Sequence, residues 1–294
     1  MHRAGLYTAC VTPFNSDNTV DIPAFQKLMQ RQIDAGVQGV VLMGTTGEAP
    51  TVTPKERDTL IKEAKMISNG RTLILAGCGS SCTSTTIEQA IAAEKSGAEG
   101  IQMAPPAYNK PSQEGIFRHF EAIHNAVSIP LYIYNIPART GVNIEPKTIE
   151  RLLCLERCVG VKEASGNLTQ FMEIVANLKK PITLLSGDDL LALPYIVLGA
   201  HGVMSVIGNL LPKTMNTLIT NALNGNLKEA LKIHYDLRKL MQACFLEANP
   251  IPIKYMLSRY GLCSNTYRLP MTPLSEKNEK TIDSLLASTP FGEL

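Results

Sequence analysis

The chain has 294 residues, 45% hydrophobic and only 18% charged, with a formal net charge of +2 and no Trp. That length suits one large domain with an appendage, or two modest ones; a charged share below the roughly 25% usual for globular chains leaves surface for partners and predicts self-association. A near-neutral charge without a Lys/Arg block or aromatic–basic interleaving argues against nucleic acid as a partner.

The N-terminal segment, residues 1–7, lacks the long apolar stretch of a secretory signal. Eight apolar runs rich in β-branched residues then follow in order, at 6–11, 38–43, 72–76, 100–104, 131–135, 158–162, 182–186 and 202–206. Each leads through a polar or glycine-bearing loop into a stretch of helical period. Strands alternating with helices give βαβ units, and eight units in about 220 residues predict an α/β fold, a closed (β/α)8 TIM barrel, rather than an open sheet.

The helices announce their starts. Asp21-Ile-Pro23 opens one whose Phe25, Leu28, Met29 and Ile33 turn inward; Thr53-Pro-Lys-Glu56 opens another as a capping box; Ser112 caps a third carrying Ile116, Phe117, Phe120, Ile123 and Val127. Gly36, Gly70 and Gly97 stand where helices should stop. Residues 190–211 carry no Asp, Glu, Lys or Arg, the length of a membrane span of about 20 residues. Pro194, Gly199, His201, Gly202, Ser205, Gly208 and Asn209 break that run, which predicts a short helix and a short strand inside a water-soluble core.

Residues 212–223 complete the eighth unit, so the chain divides into a barrel with the active site, residues 1–224, and a C-terminal all-helical domain, residues 225–294. The apolar stripe Leu227, Leu231, His234, Leu237, Leu240, Met241 and Cys244 predicts a long helix, with shorter ones at 251–260 and 281–287. No Pro- or Ser-rich linker separates the two parts, so the helices should pack directly on the barrel.

The seven cysteines, Cys10, Cys78, Cys82, Cys154, Cys158, Cys244 and Cys263, are odd in number and form no C-x-x-C pair, which predicts reduced thiols in a cytoplasmic protein. Cys78/Cys82 and Cys154/Cys158 are four apart. No histidine stands at a helpful spacing and the contexts are strand-like, so core packing is expected and no metal site.

In such a barrel the reactive groups sit at the carboxyl ends of the strands and in the loops that follow. The sixth run, Val159-Gly-Val-Lys-Glu-Ala-Ser165, holds Lys162 where an apolar residue belongs. Lysine is almost never fully buried unless paired. Lys162 is therefore either a strand-end cation that snorkels or pairs with Glu163, or an amine desolvated so that it can attack a ketone and form a Schiff base. After the second strand, Gly44-Thr45-Thr46-Gly47-Glu48 can turn amides and hydroxyls onto one carboxylate, or its threonines can cap the next helix. Gly77-Cys-Gly79-Ser-Ser81 reads as structural. Tyr134 shares a strand face with Tyr132 and lies at the reactive rim. Arg139, in a glycine-ended loop, offers a bidentate grip on a carboxylate, or else a surface ion pair. Ser186-Gly187-Asp188-Asp189 could be a carboxylate pair for acid/base work or Mg²⁺, but capping of a helix beginning at Leu190 is the expected role. His201 precedes the eighth strand, away from the chemistry, and reads as structural.

The motifs GTTGE (44–48), YNIPARTG (134–141), GVKEASGN (160–167), SGDD (186–189), NPIPIK (249–254) and RLPMTP (268–273) together resemble the dihydrodipicolinate synthase family of the class I pyruvate-dependent aldolases, over essentially the whole chain. The resemblance implies that Lys162 forms a Schiff base with pyruvate, whose carboxylate sits in the Thr45/Thr46 loop near the backbone of Met204, with Gly187 also in the substrate-binding set. It implies that Tyr134 is the general acid/base, coupled through Thr45 to Tyr108 of a neighbouring subunit, and that Arg139 holds the carboxylate of L-aspartate 4-semialdehyde. The product would be 4-hydroxy-tetrahydrodipicolinate, on the route to diaminopimelate and lysine. No cofactor or metal is needed beyond the covalent adduct, no membrane is involved, and the expected assembly is a homotetramer, a dimer of dimers. The competing activities are a related lyase acting on a 2-keto-3-deoxy sugar acid or N-acetylneuraminate, which Arg139 disfavours, and a non-catalytic barrel serving as a binding scaffold.

One departure matters. Many members carry a second tyrosine, stacking across the tight-dimer interface, where this chain has Ala107. Lysine-inhibited members bind L-lysine at that interface; the matching positions here are Ala49, Pro54, Arg57, Ser81, Thr85 and Ala107, with no carboxylate among them and only Glu88 nearby. Insensitivity to L-lysine is therefore expected.

Overall fold

The eight apolar runs close on themselves. In the computed structural model, which describes residues 4–288, they form β1 (Gly5–Ala9), β2 (Gly39–Leu42), β3 (Leu73–Gly77), β4 (Gly100–Met103), β5 (Leu131–Asn135), β6 (Cys158–Glu163), β7 (Thr183–Ser186) and β8 (Gly202–Ser205). Neighbours pair in parallel in chain order, and β8 returns to β1 through Tyr7↔Met204 and Thr8↔Ser205. Residues 1–3 of the N-terminal segment, and 289–294 at the end of the helical part, lie outside the described residues.

Side chains alternate between the barrel interior and the helical layer. Tyr7, Val41, Leu75, Tyr132, Leu185 and Met204 fill the interior as one cluster. Leu6, Val40, Ile74, Ile133, Val161, Leu184 and Val203, the alternate residues, join the larger core under the helices. Each buried apolar side chain of this size contributes about 1.5–3 kcal/mol. Two interior rings claim the space of a neighbouring side chain: a Cβ on Gly39 would fall 2.6 Å from the Tyr7 ring, and one on Gly160 2.4 Å from the Tyr132 ring. Between β5 and β6 the register steps from Leu131↔Cys158 to Tyr132↔Gly160. This bulge adds one residue to β6, so that Cys158 joins the outer core while Gly160 faces the Tyr132 ring. Two residues on, Lys162 therefore faces inward and Glu163 outward.

The expected caps are in place. Asp21 accepts from the Ala24 amide at 3.0 Å, Thr53 and Glu56 form a reciprocal capping box, and Ser112 accepts from the Gly115 amide, each cap worth about 1 kcal/mol. The uncharged run 190–211 resolves into the helix Ala192–Val197, β8 and a 3-10 turn, Ile207–Asn209. Among the described residues no helix is long and apolar enough to cross a membrane. Of the paired cysteines, Cys78 and Cys158 are buried, but Cys82 and Cys154 are exposed at helix ends, so core packing holds for only half of them.

Beyond the barrel come the helices Leu227–Ala243, Ile251–Arg259 and Glu276–Ser288. The last begins earlier than its apolar period indicates, with Glu276 and Glu279 in a first turn whose dipole favours negative charge. On the first, Ala230, His234, Leu237, Leu240 and Met241 are buried while Leu227 and Leu231 are exposed, so its packed stripe is narrower than the sequence pattern.

Candidate active site

Lys162 is 6% exposed on the inward side of β6, in register with Tyr134 on β5 and Leu185 on β7. Its Nζ lies 4.1 Å from the centroid of the half-buried Tyr134 ring. Glu163 is fully buried on the opposite face of the strand, where its carboxylate accepts from the Ser165 amide at 2.6 Å, Asn135 Nδ2 at 3.0 Å and Gln170 Nε2 at 3.3 Å. Strand alternation thus removes the Lys162–Glu163 pairing that the sequence left open. Among the described residues Lys162 makes no ion pair. It is a buried amine beside an aromatic face.

The loop after β2 is bracketed by two non-glycine residues in the left-handed region, Met43 at φ 48° and Glu48 at φ 51°, a conformation that surrounding contacts must hold. Its turn closes through the amides of Gly47 and Ala49 on the Gly44 carbonyl and of Glu48 on that of Thr45. Two glycines admit close backbone approach: a Cβ on Gly47 would lie 2.8 Å from Met43 N, and one on Gly77 only 2.3 Å from Met43 O. Gly77 thus serves the packing of the loop, as expected, but Gly77, Gly79, Ser80 and Ser81 also line the cleft that holds Thr45 and Tyr134, so the segment is not structural alone.

The same loop is gripped by the C-terminal region. Glu48, 3% exposed, pairs at 2.7 Å with Nζ of Lys254, which is fully buried. The Lys254 ammonium also lies 4.5 Å from the Phe14 ring centroid and 5.0 Å from that of Tyr267. Burial lowers its pKa from the usual lysine range, and Glu48 opposes that shift. Asn249 Nδ2 donates to Thr46 Oγ1 at 2.9 Å. Arg268 lies over Phe14 and bonds Glu56 and the Thr51 carbonyl. NPIPIK and RLPMTP carry the family resemblance, yet the sequence reading gave Asn249, Lys254 and Arg268 no task. Lys254 was legible by the same signal as Lys162, a cation in an apolar run.

Thr45, Tyr134, Arg139 and Asn249 line one cleft of about 580 Å³, together with Arg57 and Ala107. Arg139 projects from the short helix Pro137–Thr140, which Gly141 ends at φ +73°. It is exposed and, among the described residues, makes no ion pair, so the surface-pair alternative is not realised. Thr46 is buried in the loop and Met204 in the barrel interior. Gly187 donates its amide to the Glu163 carbonyl at 2.7 Å, and a Cβ there would meet Ala164 Cβ at 2.5 Å. Tyr108 stands apart: its side chain is 90% exposed, its φ is +74°, and it lines no part of this cleft. Within one chain the three hydroxyls of the expected relay are not assembled.

The SGDD segment departs from its expected capping role. Asp188 Oδ1 accepts from the Leu190 amide at 2.8 Å, but the helix begins at Ala192 and has no side-chain cap. Asp189 reaches across to the segment just after β8, where its Oδ2 accepts from the amides of Val206 and Ile207 at 2.9 and 3.0 Å. Burial raises its carboxyl above the usual range. Asp189 ties the loops after β7 and β8 together. His201 is structural, its Nδ1 accepting from the Leu184 amide at 3.0 Å.

A closed parallel barrel whose sixth strand carries a buried lysine, without an ion pair among the described residues and packed on the ring of Tyr134, which lines a cleft with Thr45 and Arg139, has the architecture of class I aldolase-type lyases. Comparison with known proteins makes this specific: the chain belongs to the dihydrodipicolinate synthetase family, whose model matches residues 2–289. It is 44% identical to a 4-hydroxy-tetrahydrodipicolinate synthase of Protochlamydia amoebophila, over 99% of this chain and 98% of the relative. The structure superposes on dihydrodipicolinate synthase from Thermotoga maritima with a TM-score of 0.96 at 36% identity, covering 100% of both chains. The enzyme from Cyanidioschyzon merolae, solved with lysine bound, aligns with a TM-score of 0.95 at 36% identity, again over 100% of both chains.

Proposed function

We propose that the family's reaction, condensation of pyruvate with L-aspartate 4-semialdehyde to 4-hydroxy-tetrahydrodipicolinate in lysine and diaminopimelate biosynthesis, runs in this chain through Lys162. The observation that carries this assignment is a 6% exposed amine on the inward face of β6, 4.1 Å from the Tyr134 ring centroid and without an anionic partner among the described residues. Lys162 Nζ attacks the keto carbon of pyruvate, and loss of water gives the imine. The imine withdraws electrons, so a methyl proton leaves and the resulting enamine carbon bonds to the aldehyde carbon of the semialdehyde. The amino group of the second substrate then displaces Lys162 from the imine carbon, closing the ring and freeing the enzyme. Each proton transfer needs a hydroxyl at hydrogen-bond reach, and Tyr134 with Thr45 fills that role.

Thr46, with Gly187 and the backbone of Met204, receives the pyruvate carboxylate; Arg139, exposed and unpaired at the cleft wall, receives that of the semialdehyde. Tyr108 completes the relay from a second copy. Its 90% exposure supports a second copy packed against it, and the likeness to the family supports a dimer of dimers. The covalent adduct makes an external cofactor unnecessary, and the reaction belongs in the cytoplasm. The helix Pro212–Leu223 completes the eighth unit, which supports a division into barrel, 1–224, and helical part, 225–294. Borohydride added with pyruvate should reduce the imine and leave an adduct that peptide mapping places on Lys162. An adduct on another lysine, or none from an enzyme that turns over, would remove Lys162 from this role.

A further inference from the structure

We propose that Asn249, outside the barrel strands and helices, is a positioning residue for pyruvate: its carboxamide sets the direction in which the Thr46 hydroxyl donates. The inference rests on the reading that Thr46 receives the pyruvate carboxylate.

A threonine hydroxyl has one proton and two lone pairs. Left alone, it rotates freely or bonds back to its own backbone. Here Asn249, 4% exposed and lining the cleft, donates Nδ2–H to Thr46 Oγ1 at 2.9 Å. One lone pair is thereby occupied. Thr46 is 2% exposed and does not itself line the cleft; its Oγ1 donates to no protein group among the described residues, so on the proposed reading its proton is left to the pyruvate carboxylate. The other end of the amide, Asn249 Oδ1, is buried without a hydrogen-bond partner among the described residues.

What holds the carboxamide in place lies on the same stretch of chain. Lys254, a turn further along the helix Ile251–Arg259, is locked to Glu48 at 2.7 Å. Asn249 to Thr46 and Lys254 to Glu48 are thus two buried links between one C-terminal segment and one active-site loop. The second fixes the distance; the first aims the hydroxyl. Ordering a donor before the ligand arrives improves affinity without adding a contact to the ligand.

The test measures KM and kcat for pyruvate, and the pyruvate concentration that half-saturates borohydride trapping. Asn249→Ala should raise KM and the half-saturating concentration by about 3- to 10-fold, the size of one net hydrogen bond between neutral groups, with kcat changed by less than about threefold. Asn249→Asp keeps the shape but can only accept from Thr46, so it should raise both further; it also provides the reading if the alanine variant fails to fold. On a Thr46→Val background, Asn249→Ala should add nothing. Equal effects of Asn249→Ala on both backgrounds, or a wild-type KM for Asn249→Asp, overturn the proposal. A wild-type KM for Thr46→Val alone overturns the assignment of Thr46 to the carboxylate, and this proposal with it.

Discussion

Replacing Lys254 by Met tests how the active-site loop is held. The pair with Glu48 is 2.7 Å long, and both side chains are almost entirely withdrawn from water. Taking away the cation strands a carboxylate whose remaining donor is the Arg268 amide at 3.4 Å. An uncompensated buried charge of this kind costs about 3–5 kcal/mol. The lost contacts with the Phe14 and Tyr267 rings add about 1 kcal/mol. Lys254→Met should therefore lower stability by about 4–6 kcal/mol, read from the midpoint and slope of urea unfolding followed by circular dichroism. Adding Glu48→Gln removes the stranded charge and should restore most of the loss, because a buried ion pair and a neutral replacement are often close in free energy while a broken pair is not. A loss below about 1 kcal/mol for Lys254→Met, or a double variant less stable than the single one, would refute this account of the loop.

Tyr134→Phe and Thr45→Val should each lower kcat by about 10²- to 10³-fold while pyruvate is still trapped on Lys162, as loss of positioned proton transfer requires; a wild-type kcat in either variant removes that residue from the relay. The enzyme should keep its activity across millimolar L-lysine, since Arg57 faces the cleft at the matching position and Glu88 is exposed and outside the cleft lining; partial inhibition abolished by Glu88→Ala would contradict this. The Glu56 carboxyl is held down to about 2, chiefly by its hydrogen bond from Arg268. A folded pKa below the unfolded one stabilises fully above about pH 4.5 and loses that contribution as pH falls toward 2. Arg268→Ala should thus lose less melting temperature than wild type between about pH 5 and pH 3, and parallel losses would show that the pair does not carry the acid response.

Much of the barrel was legible because its signal is periodic and local. Apolar runs of five or six residues between helical stretches locate strands, and caps such as Asp21, Thr53 and Ser112 fix helix starts within a residue. Lys162 stood out for a physical reason, a cation where the pattern demands an apolar side chain. What the sequence did not disclose depends on contacts across long separations. Asp189 was expected to cap the next helix, the local partner, but β8 lies beside β7 in the closed barrel and the residues just after it, Val206 and Ile207, supply two amides instead. Glu163 was a possible partner for Lys162 until the direction of each side chain along β6 was known, and that direction turns on the bulge at Cys158. Asn249 and Lys254 bond to residues more than 200 positions away, beyond the reach of any local pattern.

The glycine beneath Lys162 has a consequence for traffic. Gly160 makes room for Tyr132, whose ring joins Tyr7, Leu75 and Met204 in a solid plug across the barrel. Among the described residues this plug fills the barrel below Lys162, while Thr45, Tyr134 and Arg139 line the cleft. On the proposed role of Lys162, the ketone is seated before the aldehyde comes in above it, and the finished ring leaves before the next ketone descends. Queueing of this kind imposes an order of addition on the two substrates without any moving gate, and an excess of the second substrate occupying an empty cleft would obstruct the first.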